Sequence, residues 1–233
     1  MNKKIENIRA VVFDADDTLW ALQTYFEQVE HAYCKLLAEY GTEEEISASL
    51  FATETGNMQD LGYGCKAFTI SLVENAIRVS QGKVSASTIG SIVELGKSLL
   101  HLDATPLPEV EETLAGLQER GSYQLAVFTK GELKDQENKL MRSGLRHYFS
   151  MVSIVSDKTP EAYQNLCRQL KLQPSQVVMV GNSFKSDIAP MLQIGGNAIH
   201  IPFHTIWAHE QAEEFSHPCL CRISHFRELL EWL

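Results

Sequence analysis

The chain has 233 residues, 44% hydrophobic and 21% charged, an ordinary globular make-up with length for a sizeable core in one or two domains. A formal net charge of -10 argues against non-specific binding to nucleic acid or an anionic membrane, yet leaves room for a phosphorylated small molecule, because local charge decides that. No apolar run is long enough to span a bilayer, Glu6 and Asn7 interrupt any signal-peptide core, and an odd five cysteines without regular spacing fit a reducing, cytoplasmic location better than a disulfide framework.

The first element predicted is a short buried strand. Ala10-Val11-Val12-Phe13 has the length and β-branched content for it. It breaks into Asp14, Asp16 and Asp17, followed by Thr18 and Trp20. A buried parallel strand that ends in acids places charge at the carboxyl edge of its sheet, where open α/β folds bind ligands. Asp14 and Asp16 are separated by one residue and can face one site where the backbone stays extended. Clustered carboxylates raise one another's pKa unless a cation sits between them, and a hard divalent ion such as Mg2+ suits oxygen ligands. The plainer alternative is an Asp-rich turn that caps the next helix.

A long helical stretch follows. Tyr25, Val29, Ala32, Tyr33, Leu36, Leu37 and Tyr40 recur at helical spacing, with Gly41 as the expected stop. Thr42 and Glu45 have capping-box spacing for a second helix. Gly56 to Gly64 reads as a loop, Lys66 to Val79 as a third helix, and Ser80-Gln81-Gly82 as its break. Ser85 is placed to cap a fourth helix through Leu99. No strand pattern occurs here, so residues 21–102 read as an all-helical insertion. Pro106 and Pro108 prevent a helix from running on.

From Glu109 the chain alternates. Helices are expected at Glu109–Arg120, Leu133–Ser143, Pro160–Leu170 and Ser186–Gly195, and strands at Gln124–Thr129, Met151–Val155, Val177–Val180 and Ala198–His200. Leu220–Ile223 reads as an edge strand and Ser224–Trp232 as a closing helix. Such alternation means an α/β, Rossmann-like parallel sheet with helices on both faces. No internal repeat or low-complexity segment occurs.

Three further strand ends carry polar residues. One ends in Thr129-Lys130-Gly131, one leads to Asp157-Lys158-Thr159-Pro160, and one ends in Gly181-Asn182-Ser183 with Asp187 beyond. Each has a plain reading: Thr129 as a cap, Lys158 as a solvated lysine, Asp187 as a first-turn acid. Together they gather a hydroxyl, an ammonium and carboxylates at one sheet edge, a set suited to phosphoryl transfer. His217, Cys219, Cys221 and His225 suggest a metal cluster, but the spacing matches no common zinc pattern, and a strand with a helix start is expected instead. The histidines and Trp207 between His200 and His209 are expected to pack or lie at the surface.

These motifs, in order from Val11 to Asp187, resemble the haloacid dehalogenase-like hydrolase superfamily. Asp14-Ala15-Asp16-Asp17-Thr18 matches the family's Asp-x-Asp-x-Thr, Thr129 its hydroxyl after an apolar strand, and Lys158 its lysine before a helix. Gly181 and Asp187 match the last motif, which departs at Asn182, where Asp is usual. The resemblance implies a core of residues 1–20 and 103–233 and a C1-type helical cap of residues 21–102. It implies a phosphatase acting on a small phosphorylated metabolite, with no nucleic acid or membrane partner. Asp14 would be the nucleophile and Asp16 the general acid and base. Thr129 and Lys158 would stabilise the phosphoryl oxygens. Mg2+ would be held by Asp14, the Asp16 carbonyl and Asp187, with Asn182 as a neutral ligand or a support. Cap residues would shape the leaving-group pocket, with Trp20, Tyr25, Tyr63 and Lys66 as candidates. A sugar-phosphate mutase shares the core residues, and a binding module on this fold stays open. Dehalogenation is disfavoured by the acid at Asp16, and phosphonate hydrolysis by the lack of a cap lysine other than Lys66 near its middle. Oligomeric state is left open, with a monomer as one expectation.

Overall fold

A computed structural model of the chain describes residues 5–233; the four before them, expected to lead into the first strand, lie outside the described residues. The described residues up to Gln23, with Ala104–Leu233, form one compact unit, and Thr24–Asp103 forms another. The expected boundaries fell at residues 20/21 and 102/103.

The larger unit is built on strands β1 (Ala10–Phe13), β2 (Gln124–Lys130), β3 (Met151–Val155), β4 (Val177–Gly181), β5 (Asn197–His200) and β6 (Leu220–Arg222). They form one parallel sheet in the order β3-β2-β1-β4-β5-β6. The chain builds outward from β1 on one side, then returns to β4 on the other. The switch between directions therefore lies at β1, and a crevice opens at the carboxyl ends there. β1 is buried on both faces, which is why its sequence is an unbroken apolar run rather than an alternating one.

Side chains of alternate β1 residues enter different cores. Val11 and Phe13 pack with Val127, Val180 and Leu114, Leu117, Leu140 and Leu229, from helices α5 (Val110–Glu119), α6 (Leu133–Arg142) and α9 (Leu229–Trp232). Ala10 and Val12 pack with Ala126, Phe128, Met179 and Tyr163, Leu166 and Met191, from helices α7 (Pro160–Leu170) and α8 (Ala189–Gln193). Each large apolar side chain buried this way contributes about 1.5–3 kcal/mol.

The smaller unit holds α1 (Gln23–Leu36), α2 (Glu43–Leu61), α3 (Cys65–Val79) and α4 (Ala86–Ser98) around Tyr33, Leu37, Ile46, Leu50, Phe68, Leu72 and Ile92. The Thr42–Glu45 capping box forms, and Ser85 caps α4 through Thr88 N–H. Two expectations are corrected. α1 stops at Leu36, before Gly41, because Leu37 and Tyr40 N–H groups turn back to carbonyls three residues earlier. Gly56 to Leu61 is helix, not loop. Gly56 tolerates the helical conformation, Asn57 donates to Ser71 Oγ and Glu74 Oε2 on α3, and the helix ends at Gly62, whose φ of 69° suits glycine.

The expected Ser186–Gly195 helix is also different. A π-helical turn spans Phe184–Ile188 and only then does α8 begin, with Pro190 in its first turn. The wide turn is held by Ser183, whose hydroxyl accepts from Ser186 N–H and whose carbonyl accepts from Asp187 and Ile188 N–H. Among the described residues no helix is long and apolar enough to cross a membrane. All five cysteines are free thiols.

Candidate active site

Asp14 continues β1 by one residue, its N–H donating to the Val180 carbonyl at 2.9 Å. That bond carries its carboxylate to the crevice. Lys158 follows β3, which runs parallel to β1 in the same sheet. Thr159 caps α7 and Pro160 occupies its first turn, so the chain is extended just before the helix and delivers Lys158 to the sheet edge. Its Nζ bonds Asp14 Oδ1 and, at 2.7 Å, Asp187 Oδ1. Lys158 is 4% exposed and Asp187 0%. Asp187 Oδ2 accepts from Ser183 N–H at 2.9 Å, so both of its oxygens are engaged.

Two buried carboxylates thus share one buried ammonium. Burial pushes Asp14 up to about 7, with help from Asp187 and against the pull of Lys158. Burial likewise raises Asp187, opposed by Lys158 and Ser183 N–H. Burial alone would lower Lys158, but the two carboxylates outweigh it and hold the ammonium above its ordinary value. The trio carries a surplus negative charge when all its groups are ionised.

Gly181 makes this packing possible. A Cβ there would lie 2.2 Å from Asp187 Oδ2. Gly181→Ala is therefore expected to displace Asp187 and, through it, Lys158. Turnover should fall by about tenfold or more, with about 1–3 kcal/mol lost from stability; rate and thermal melts of the purified variant check both.

Asp16 is held differently. Its Oδ1 accepts from Trp20 Nε1 at 2.8 Å and Lys139 Nζ at 2.7 Å, and its Oδ2 from Gln136 Nε2 at 2.7 Å and Lys139 Nζ at 2.9 Å. Gln136 Nε2 also approaches Thr129 Oγ1 at 3.2 Å, which places the buried Thr129 beside Asp16. Asp17 takes the capping role. Its φ is 60° and its Oδ1 accepts from Leu22 N–H at 2.7 Å and Gln23 N–H at 3.1 Å, at the start of α1. Burial pushes it up to about 7 despite those bonds.

Asn182 lies between the first and last motifs. One terminal atom of its side-chain amide is 3.1 Å from Asp14 Oδ2, 3.1 Å from Thr18 Oγ1 and 3.2 Å from the Asp16 carbonyl oxygen. As nitrogen it has all three as acceptors within reach of its two N–H groups. As oxygen it joins an Asp14 carboxyl oxygen and the Asp16 carbonyl oxygen in a cluster of acceptors that a cation would hold together. Adjacent ligands of an octahedral Mg2+ lie about 3 Å apart, from metal–oxygen distances near 2.1 Å, and the separations of the Asn182 atom from the Asp14 and Asp16 oxygens match that spacing. Among the described residues no three His, Cys, Asp or Glu side chains gather as a metal cluster; the converging oxygens are a carboxylate, a main-chain carbonyl and an amide.

A model of the haloacid dehalogenase-like hydrolase matches residues 8–195, most of the chain and every motif described above. The chain belongs to the haloacid dehalogenase-like hydrolase family. A glyceraldehyde 3-phosphate phosphatase of Methanothermobacter thermautotrophicus is 27% identical over 203 residues, 82% of this chain and 84% of its own. A solved haloacid dehalogenase-like family hydrolase from Xanthomonas campestris is 31% identical, covers 96% of this chain and 89% of its own, and superposes with a TM-score of 0.84. A pyrimidine 5'-nucleotidase of Escherichia coli is 28% identical over 126 residues, 51% of each chain. The family match and the phosphatase-named relatives together support a phosphoric monoester hydrolase.

The haloacid dehalogenase-like core also recruits residues that no motif reading singles out. Gln136 and Lys139 sit on α6, where charged residues read as a solvated face, yet both are buried. Glu210, from the loop after β5, has no sequence signal. Lys130 Nζ and the Ser183 hydroxyl bond Glu210, and the Ser186 hydroxyl donates to it at 2.6 Å. Burial would raise Glu210, but Lys130 and the two serines overcome it and bring it down to about 2.

A carboxyl whose folded value lies below its ordinary one stabilises the protein above that ordinary value and loses the contribution as pH falls towards the folded one. Glu210→Gln should therefore melt several degrees lower at pH 7. The gap to the parent should close as pH falls from about 4.5 towards 2, which melts across that range will check.

Of the candidates for a leaving-group pocket, Trp20 is buried and spends its indole N–H on Asp16, Tyr25 and Lys66 are exposed, and Tyr63 is half-buried. His200 is buried, with Nε2 at 3.0 Å from the Asn182 carbonyl. His217 Nδ1 accepts from Cys219 N–H, a local turn contact.

Proposed function

We propose that the chain is a Mg2+-dependent phosphatase that hydrolyses a small phosphate monoester through an aspartyl-phosphate on Asp14. The observation that carries this reading is the Asp14 carboxylate itself. One oxygen is pinned by Lys158, and the other lies 3.1 Å from the Asn182 amide, which also approaches the Asp16 carbonyl.

In the first step an Asp14 oxygen bonds to phosphorus. The bond from phosphorus to the leaving oxygen breaks, its electron pair stays on that oxygen, and Asp16 supplies a proton to it. In the second step Asp16 takes a proton from a water whose oxygen bonds to phosphorus, and the Asp14–phosphorus bond breaks with its pair returning to Asp14. Thr129 and Lys158 face the charge on the phosphoryl oxygens. Asp14 Oδ2, the Asp16 carbonyl and Asn182 Oδ1 would hold Mg2+, which supplies further charge neutralisation when bound. Asp187 was expected among the ligands. With both oxygens engaged, it is assigned here to the support of Lys158 and of the loop carrying Asn182.

The relatives' names suggest the first substrates to try, a triose phosphate and a pyrimidine nucleotide. Phosphate release from an aryl phosphate, then from a panel containing both, is measured with Mg2+ and with a chelator. Mg2+-dependent release is expected. A correctly folded protein that releases no phosphate from any of them would leave a binding module as the reading.

A further inference from the structure

Asp16 is surrounded by more donors than a carboxylate needs for shape alone. Lys139, 1% exposed, bonds both of its oxygens at 2.7 and 2.9 Å. Asp135, one turn earlier on α6, lies 3.6 Å from the same ammonium. Burying a lysine costs several kcal/mol unless partners offset it, and here the ammonium is aimed at the acid two residues after Asp14. Gln136, three residues before Lys139 and so on the same side of α6, gives Nε2 to Asp16 Oδ2, Thr129 Oγ1 and the Lys130 carbonyl. One turn of α6 therefore ties Asp16 to the end of β2 that carries Thr129.

We propose that Lys139, aided by Gln136, is a positioning residue that acts through Asp16. This rests on the reading of Asp16 as the acid and base above. Lys139 fixes the direction of the carboxyl group. It also stabilises the carboxylate charge that Asp16 gains as its proton passes to the leaving oxygen and the phosphorus–oxygen bond breaks. A weakly basic leaving group departs without that proton, so it gains little from the arrangement. A strongly basic one depends on it. The contribution belongs to the chemical step and not to substrate affinity, because a buried ammonium saturated by Asp16 and Asp135 has no part in binding.

The test compares the parent, Lys139→Met, Lys139→Arg, Asp16→Asn and the Asp16→Asn/Lys139→Met double variant. Substrates are an aryl phosphate with an acidic phenol and an alkyl phosphate, each at saturating Mg2+. Lys139→Met should lower kcat by about 10- to 100-fold on the alkyl ester and only a few-fold on the aryl ester, with KM within about threefold. Lys139→Arg, which keeps the charge, should recover most of the loss. In the Asp16→Asn background, Lys139→Met should cost less than about threefold, because there is no proton donor left to position. Should Lys139→Met not fold, Gln136→Met, alone and in the Asp16→Asn background, carries the same comparison of the two esters. Equal losses on both esters, or a full extra loss in the Asp16→Asn background, would overturn the proposal alone. If Asp16→Asn itself slows both esters equally, the acid–base reading of Asp16 falls, and the proposal with it.

Discussion

Asp14→Asn should fold and lose at least about 10⁴-fold in turnover, the scale seen when a covalent nucleophile is removed. The amide keeps the size of the carboxylate and its place after β1, held by the bond from its N–H to the Val180 carbonyl. It offers no anionic oxygen to phosphorus. Folding should not suffer, because Lys158 keeps Asp187 as a partner at 2.7 Å. Stability should even rise without metal. Burial holds Asp14 at about 7, well above the ordinary value of an aspartic acid. An acid raised on folding contributes fully below its unfolded value and loses that contribution as pH climbs through the folded one. The gain in melting temperature from Asp14→Asn, measured in chelator, should therefore be larger at pH 8 than at pH 4. Turnover within tenfold of the parent would remove Asp14 as the nucleophile.

The parts of this arrangement legible in the sequence are those with a local cause. Ala10 to Phe13 reads as a buried strand because a strand covered on both faces has no polar alternation to confuse it. Thr42 with Glu45, and Thr159 with Pro160, mark helix starts because capping is a short-range interaction. Gly56 misleads because a glycine's cost inside a helix is only about 1 kcal/mol, which the Asn57 bonds to α3 outweigh, and such bonds have no local signature. The π-helical turn at Phe184–Ile188 is equally hidden, since the bonds to the Ser183 hydroxyl and carbonyl that hold it leave no pattern in the spacing. At the site, Asp14, Asp16, Thr129, Lys158 and Asn182 stand at or just past strand ends, which are predictable, and Asp187 follows in the turn after β4. Lys139, Gln136 and Glu210 come from a helix face and a loop. Their burial depends on what packs over them, a long-range property that spacing does not encode. Asn182 is the instructive case. Its departure from Asp is visible in the sequence, while its place between Asp14 Oδ2 and the Asp16 carbonyl appears only in the fold.

Lys158→Met is the substitution expected to damage both chemistry and fold. In the parent the ammonium bonds Asp14 Oδ1 and Asp187 Oδ1 inside a site with almost no solvent. Removing one partner of a buried ion pair costs about 3–5 kcal/mol, because the other is left charged and unpaired, and here two carboxylates are left. Turnover should fall by about 10³-fold or more, since the cation that faces the phosphoryl oxygens is gone. The two losses separate by a second change. Lys158→Met/Asp187→Asn removes one of the stranded charges and should recover much of the melting temperature, but none of the rate. Acid should help the single variant in the same way. Without Lys158 the carboxyls rise further above their ordinary values, so the deficit in stability should shrink as pH falls and they take up protons. Added Mg2+ should raise the melting temperature of the single variant more than that of the parent, because the cation relieves a larger charge surplus. Rate recovered by the double variant would show that Lys158 serves only to hold the fold. A melting temperature for Lys158→Met equal to the parent's at pH 8 in chelator would show that the two carboxyls do not carry the charge assigned to them.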